Sequence, residues 1–139
     1  MSLSNGGPIL VPPGFNTVTP YFFVQEADRF IEFLVRGLGG VELARHMNGD
    51  RIANAQVQLG TSTVMISEAT INSPAMSSSY YLYVDSADET MQTAIDAGGA
   101  KIMDVQNMPY NDRQGGIRDP FGNIWWVSQR LIDGPYSAP

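Results

Sequence analysis

Apolar positions along the chain switch between two spacings, and they do so twice in the same order. "VTPYFFV" (18–24) is short, β-branched and aromatic, and is bounded by proline, which predicts a strand. "ADRFIEFLVRGLGG" (27–40) then puts Phe30, Ile31, Phe33, Leu34 and Leu38 at helical spacing before two glycines stop the helix. "VELARHM", "RIANAQVQLG" and "STVMISEA" predict three strands joined by turns. The second half opens on the strand "YYLYVD" and continues with a helix begun by Ser86, with Glu89 three residues later as in a capping box. Met91, Ala94 and Ile95 supply that helix's buried face, Gly98-Gly99 ends it, and strands "AKIMDV", "GGIRD" and "NIWWVSQ" follow.

The two series align residue by residue. "YFFVQEADRF" and "YLYVDSADET" share Tyr21/Tyr81, Val24/Val84, Ala27/Ala87 and Asp28/Asp88 at an offset of 60, and Gly39-Gly40 matches Gly98-Gly99 at 59. Each copy also holds a tight glycine turn, at Gly60-Thr61 and Gly122-Asn123. Such self-similarity marks a duplicated unit. The expected fold class is α+β: two tandem βαβββ modules, 17–68 and 79–130, forming a cupped mixed β-sheet with helices outside. The linker "TINSPAMSSS" joins them within one domain (17–130), between an N-terminal arm (1–16) and a C-terminal tail (131–139).

Composition narrows the partners. A net charge of −6 opposes nucleic acid, which is held by basic side chains, and favours a neutral or cationic ligand. No apolar run reaches the ~20 residues of a membrane span. The chain has no cysteine and its start lacks a signal-peptide pattern, from which a cytoplasmic setting is expected. "GLGG" and "AGGA" follow helices, so they are helix stops and not the strand-to-helix turn that cradles phosphate.

The most informative stretch is "RDPFGNIWWVSQR" (118–130), where a turn runs into a strand with two adjacent tryptophans. Successive strand side chains face opposite ways, so Trp125 and Trp126 serve different surfaces. A duplicated βαβββ unit ending in "DPFGNIWW", with "VTPYFFVQEADRFIEFL" near its start, resembles the vicinal-oxygen-chelate superfamily of glyoxalases, extradiol dioxygenases and bleomycin-resistance proteins. The resemblance covers residues 17–130. It implies four metal-ligand positions inside the cup, which fall on Thr19, Met65, Ser79 and Trp126. Divalent cations in such sites take imidazole or carboxylate donors; two hydroxyls, a thioether and an indole do not suit them. The resemblance is therefore to the metal-free, bleomycin-resistance-like branch, with no metal and no cofactor expected. It further implies that Trp126 faces the cavity and Trp125 the packing beneath the second helix, and that the protein is a homodimer with "GGPILVPPGF" free to act as an arm.

By strand parity Tyr21, Phe23, Tyr81 and Tyr83 share the cavity side with Trp126. Rings with polar edges around a concavity suit a flat ligand. The loop "QNMPYNDRQGG" (106–116) is expected to be a mobile lid that brings Met108 and Tyr110 over the ligand, with Arg113 among the ligand-binding residues; Arg118 either holds an acidic ligand group or, the preferred reading, pairs with Asp119. His46 is expected to be solvated, and Glu42 and Glu68 to lie near the cavity mouth.

Three functions compete at this stage. The first is a metal-free protein that sequesters an aromatic or cationic natural product, as in antibiotic binding and self-resistance. The second is an enzyme of the same family: a lyase, isomerase or dioxygenase of the metal-dependent branch, which the missing ligands oppose, or a metal-independent enzyme with an unconventional site using Arg113, Arg118 or a tyrosine. The third is an interaction module whose cavity is plugged by Trp126 and Met65.

Overall fold

The computed structural model describes residues 7–136; residues 1–6 of the expected arm and 137–139 of the expected tail lie outside the described part. The elements are β1 (Tyr21–Val24), α1 (Ala27–Leu38), β2 (Val41–Asn48), β3 (Arg51–Leu59), β4 (Ser62–Glu68), β5 (Ser79–Tyr83), α2 (Ala87–Asp96), β6 (Ala100–Asn107), β7 (Asp112–Arg118) and β8 (Ile124–Arg130). They form two βαβββ modules, each with its own four-stranded sheet, in the orders β1-β4-β3-β2 and β5-β8-β7-β6. The first strand of each module runs parallel to the last, and the other pairings are antiparallel. The register places Tyr21 opposite Met65 and Tyr81 opposite Trp126, which reproduces the 60/61 offset of the repeat. The cupped sheet is thus two mixed sheets related by the duplication. No helix among the described residues is long and apolar enough to cross a membrane.

Local chemistry explains the helix ends. Glu26, in the left-handed region at φ 58°, precedes α1 without capping it through its own side chain. The cap comes from β4 instead: the Glu68 carboxylate accepts from the Glu26 and Ala27 amides, each at 2.9 Å. Glu68 is therefore a tertiary cap for the helix N-terminus and not a group at a cavity mouth. Helix α2 is capped locally, with Ser86 Oγ accepting from the Glu89 amide at 3.2 Å. Gly40, after α1, has no room for a side chain: a Cβ would lie 2.8 Å from Val57 Cγ1 and 2.9 Å from the Leu34 carbonyl.

The core faces follow the periodicity. Phe30, Ile31, Phe33, Leu34 and Leu38 of α1 are all buried. In α2, Met91 and Ala94 are buried, but Ile95 is 37 % exposed, because that helix buries a narrower stripe than the sequence suggested. The two helices pack on one another, and Thr93 Oγ1 donates to the Gly37 carbonyl across the junction at 2.8 Å. Beneath them Phe22, Tyr80 and Trp125 join the modules, with Phe22–Tyr80 and Tyr80–Trp125 centroids both 4.9 Å apart. Because the helix-facing sides of the sheets meet here, each sheet's opposite, concave side is left open.

Candidate functional site

Alternation along β8 sends Trp125 and Val127 to the core and Trp126, Ser128 and Arg130 to the concave side. Trp125 is buried, and its Nε1 donates to Asp119 Oδ2 at 2.8 Å. Trp126 is half-buried and lies across the sheet. On one side its Nε1 donates to Ser79 Oγ of β5 at 2.9 Å. On the other its six-membered ring covers Gly116 of β7, where a Cβ would fall 2.8 Å from Trp126 Cζ3. The indole can take this position only because residue 116 has no side chain. Tyr81 and Tyr83 stand on the same side, 43 % and 54 % exposed, with centroids 5.3 Å apart.

The first sheet carries a smaller version. Tyr21 and Phe23 project from the concave side with centroids 4.9 Å apart. The Tyr21 hydroxyl shares a 2.6 Å hydrogen bond with Ser67 Oγ and accepts one from Asn54 Nδ2 at 3.2 Å. Met65, half-buried, lies between Tyr21 and Gln56 in the ladder. Thr19 precedes β1, and its hydroxyl donates to the Asn16 carbonyl. Of the four positions aligned with the metal site, Ser79 and Trp126 are hydrogen-bonded on the second sheet, while Met65 lies on the first sheet and Thr19 just before β1. The Ser79 hydroxyl is already an acceptor for an indole, and a thioether and an indole complete the set, so these residues do not fit a divalent cation. Among the described residues no group of three or more His, Cys, Asp or Glu side chains could hold a metal ion.

Sequence reading missed the polar half of the site. Asp112, fully buried at the start of β7, is paired in register with Arg130 at the end of β8. Its Oδ1 accepts from Arg130 Nη1 at 2.9 Å, and its Oδ2 accepts from the hydroxyls of Tyr81 at 2.6 Å and Tyr136 at 2.7 Å. Burial opposes the carboxylate charge, yet the hydrogen bonds from Tyr81, Tyr136 and Arg130 outweigh it and hold Asp112 below the usual carboxylate range. Both tyrosine hydroxyls are pushed upward, by burial first; hydrogen bonding then adds to this, from Asp112 for Tyr81 and from Tyr83, Asp112 and Tyr81 for Tyr136. Parity counted forward from Trp126 reaches Ser128 and Arg130, so Arg130 was accessible to sequence reasoning. Asp112 and Tyr136 were not, since one was assigned to a loop and the other to a tail.

The expected lid is mostly strand. Gln106 and Asn107 end β6, Asp112 to Gly116 belong to β7, and only Met108–Asn111 form a turn. Tyr110 of that turn reaches the concave cluster, its hydroxyl donating to Gln114 Oε1 at 2.5 Å, and its carbonyl accepts from Arg130. Arg113 does not join it. Parity turns Arg113 to the helix side, where it pairs with Asp88 at 2.7 Å and 3.0 Å. The expected pairing of Arg118 with Asp119 is replaced by a turn lock: the buried Asp119 carboxylate accepts from the Phe121 and Asn123 amides, Asn123 Nδ2 and Trp125 Nε1. Glu42 pairs with Arg45, and His46 is exposed on β2. A recess of about 680 Å³ lies between α1 and α2 among Arg29, Phe33, Arg36 and Asp96, away from the concave rings.

With this geometry in hand, comparisons with known proteins give a consistent picture. The profile of the Glyoxalase/Bleomycin resistance protein/Dioxygenase superfamily matches residues 14–127. An uncharacterized Mycobacterium bovis protein, Mb0911c, is 26% identical over 127 residues, covering 81% of this chain and 82% of its own. Among solved structures, TioX from Micromonospora sp. ML1 superposes with a TM-score of 0.69 at 20% identity, over 86% of this chain and 100% of its own. TnmS3 from Streptomyces sp. CB03234, described as an antibiotic binding protein, gives 0.64 at 20% identity, over 83% and 97%. At these identities the structural likeness establishes the fold alone.

Proposed function

The chain belongs to the Glyoxalase/Bleomycin resistance protein/Dioxygenase superfamily, and from that premise we propose that it is a metal-free binding protein for a small aromatic or cationic natural product of the antibiotic type. The observation that carries this reading is Trp126, a half-buried indole on the concave side of the sheet, fixed by Ser79 at Nε1 and packed by its six-membered ring against Gly116. A plug would be buried by neighbouring side chains; this ring is half-exposed beside two exposed tyrosines. Stacking on such a platform adds ~0.5–1.5 kcal/mol per aromatic pair beyond the buried area. The net charge of −6 favours a cationic or neutral guest over an anionic one. TnmS3, which shares the fold, is described as an antibiotic binding protein, and this lends support to the same role here.

A homodimer is part of the proposal. Both concave faces are open in one chain, with Tyr21, Tyr81 and Tyr83 each more than two-fifths exposed, so a second copy supplies the opposing wall. The proposed setting is cytoplasmic, as for self-resistance by sequestration. The enzyme reading is less well supported. The one buried carboxylate of the cluster is stabilised in its charged form by three donors, which makes it a weak proton acceptor.

Titration of tryptophan emission with a panel of planar polycyclic antibiotics tests the reading, on the wild type and on Trp126→Ala. Saturable quenching is expected in the wild type, with affinity at least ~10-fold weaker in the variant from lost stacking and apolar contact. Silence across the panel, with Trp126 shielded from acrylamide, rejects it.

A further inference from the structure

The C-terminal segment after β8 returns to the concave face and sets a phenol in it. The Tyr136 hydroxyl lies 2.7 Å from Asp112 Oδ2 and 2.6 Å from the Tyr83 hydroxyl. Its ring sits over the Arg130 guanidinium, 4.1 Å from Cζ to the centroid. Arg130 Nη2 meanwhile donates to the carbonyls of Gly134 and Pro135 at 3.1 Å and 3.0 Å. The segment thus fills a complete set of complementary groups: a buried carboxylate for a hydroxyl donor, a guanidinium face for a ring, and guanidinium N–H groups for carbonyl acceptors. Yet Tyr136 remains 44 % exposed, so little apolar burial secures it there. A segment whose ring is this exposed, and which is held by polar contacts more than by apolar burial, can be displaced by a molecule offering the same groups.

We propose that Tyr136 is a built-in stand-in for the ligand, and that the cup takes an aromatic compound whose phenolic hydroxyl donates to Asp112 after displacing Tyr136. The inference rests on the binding reading above and narrows its guest to phenol-bearing aromatics. The bond involved is charge-assisted, which is stronger than a neutral one and demands a donor. Arg130, Tyr81 and Tyr83 stay in place as the walls, and Trp126, in the same sheet, offers the platform for further rings.

A matched probe pair tests this: 2-naphthol, and 2-methoxynaphthalene, in which the same ring system has lost its donor. Binding of each is measured by calorimetry on the wild type, Tyr136→Ala and Tyr136→Phe. Tyr136→Ala is expected to bind 2-naphthol about 10-fold or more tighter than the wild type does, and to prefer it over 2-methoxynaphthalene by a similar factor. Tyr136→Phe removes only the hydroxyl and should show the same trend with a smaller gain, which covers a destabilised alanine variant. Equal affinity for the two probes, or a naphthol affinity unaffected by either substitution, makes the segment a plain strap and overturns the inference. Saturable binding of both probes in that case leaves the binding reading standing. Binding of neither probe to any variant, with the antibiotic panel also silent, overturns both.

Discussion

Gly116→Ala is the most direct probe of how the site is built. Residue 116 lies in β7, opposite Trp126 on one side and Met103 on the other. A Cβ there would sit 2.8 Å from Trp126 Cζ3, 3.1 Å from Cε3 and 3.0 Å from Ile102 Cγ1. Ile102 can rotate, but an indole is rigid and must tilt as a unit. Lifting its six-membered ring off β7 swings Nε1 at the other end of the ring system, which now donates to Ser79 Oγ at 2.9 Å. Losing that bond costs about 0.5–1.5 kcal/mol. An off-rotamer indole adds about 0.5–1.5 kcal/mol. The smaller conformational freedom of alanine in the unfolded chain offsets about 0.4–1 kcal/mol of this. The net expectation is a destabilisation of about 1 kcal/mol, read from the urea midpoint, with a larger consequence for binding. With the stacking platform tilted, affinity for a planar guest should fall about 2- to 10-fold. Near-UV circular dichroism should report the moved indole, while Ser79→Ala, which loses the bond without crowding the ring, should bind nearly as well as the wild type. Unchanged near-UV spectrum and unchanged affinity in Gly116→Ala would refute the account of Trp126 given above.

Two further expectations concern buried polar groups. Asp119→Ala leaves Trp125 Nε1 and Asn123 without their acceptor in the core, at about 1–3 kcal/mol for each stranded donor, so a loss of roughly 3 kcal/mol is expected by urea unfolding; a loss below 1 kcal/mol contradicts it. The Asp112 cluster predicts stability limits at both ends of the pH scale. The lowered carboxyl contributes stability above its unfolded value of 3.8 that is lost as pH falls through the folded value, and Asp112→Asn should flatten that acid limb. The raised hydroxyls of Tyr81 and Tyr136 contribute stability that is complete below their unfolded value of 10.0 and is lost as pH rises through the folded values. Absorbance titration at the phenolate band should therefore show late-ionising tyrosines, one fewer in Tyr136→Phe.

How much of this was legible in the sequence depended on whether a feature was local or set by register. The duplicated βαβββ order was legible, because each switch from strand to helix spacing is written in consecutive residues and the copies agree at 60 residues' distance. Opposite facing of Trp125 and Trp126 was legible for the same reason. The extent of β7 was not. The expected strand "GGIRD" begins three residues late: "DRQ" reads as loop, yet β7 starts at Asp112, and its Gly115 and Gly116 make room for Met91 on one face and Trp126 on the other. Arg113, expected in a lid, lies instead in β7 on the helix side, where it pairs with Asp88.

The hairpin that joins β7 to β8 shows why one misread segment hid half the site. Asp119 ties together the amides of Phe121 and Asn123 and the indole of Trp125, and so sets where the turn closes. Once Arg118 is opposite Ile124, every later pair follows: Gly116 with Trp126, Gln114 with Ser128, Asp112 with Arg130. The first pair seats the indole and the last builds the charged end that receives a phenol. A slip of one residue would send Trp126 into the core and Trp125 to the cup, and would separate Asp112 from its arginine. Platform and anion site are therefore one consequence of one turn. The buried Asp119 carboxylate, which closes that turn, stands behind both.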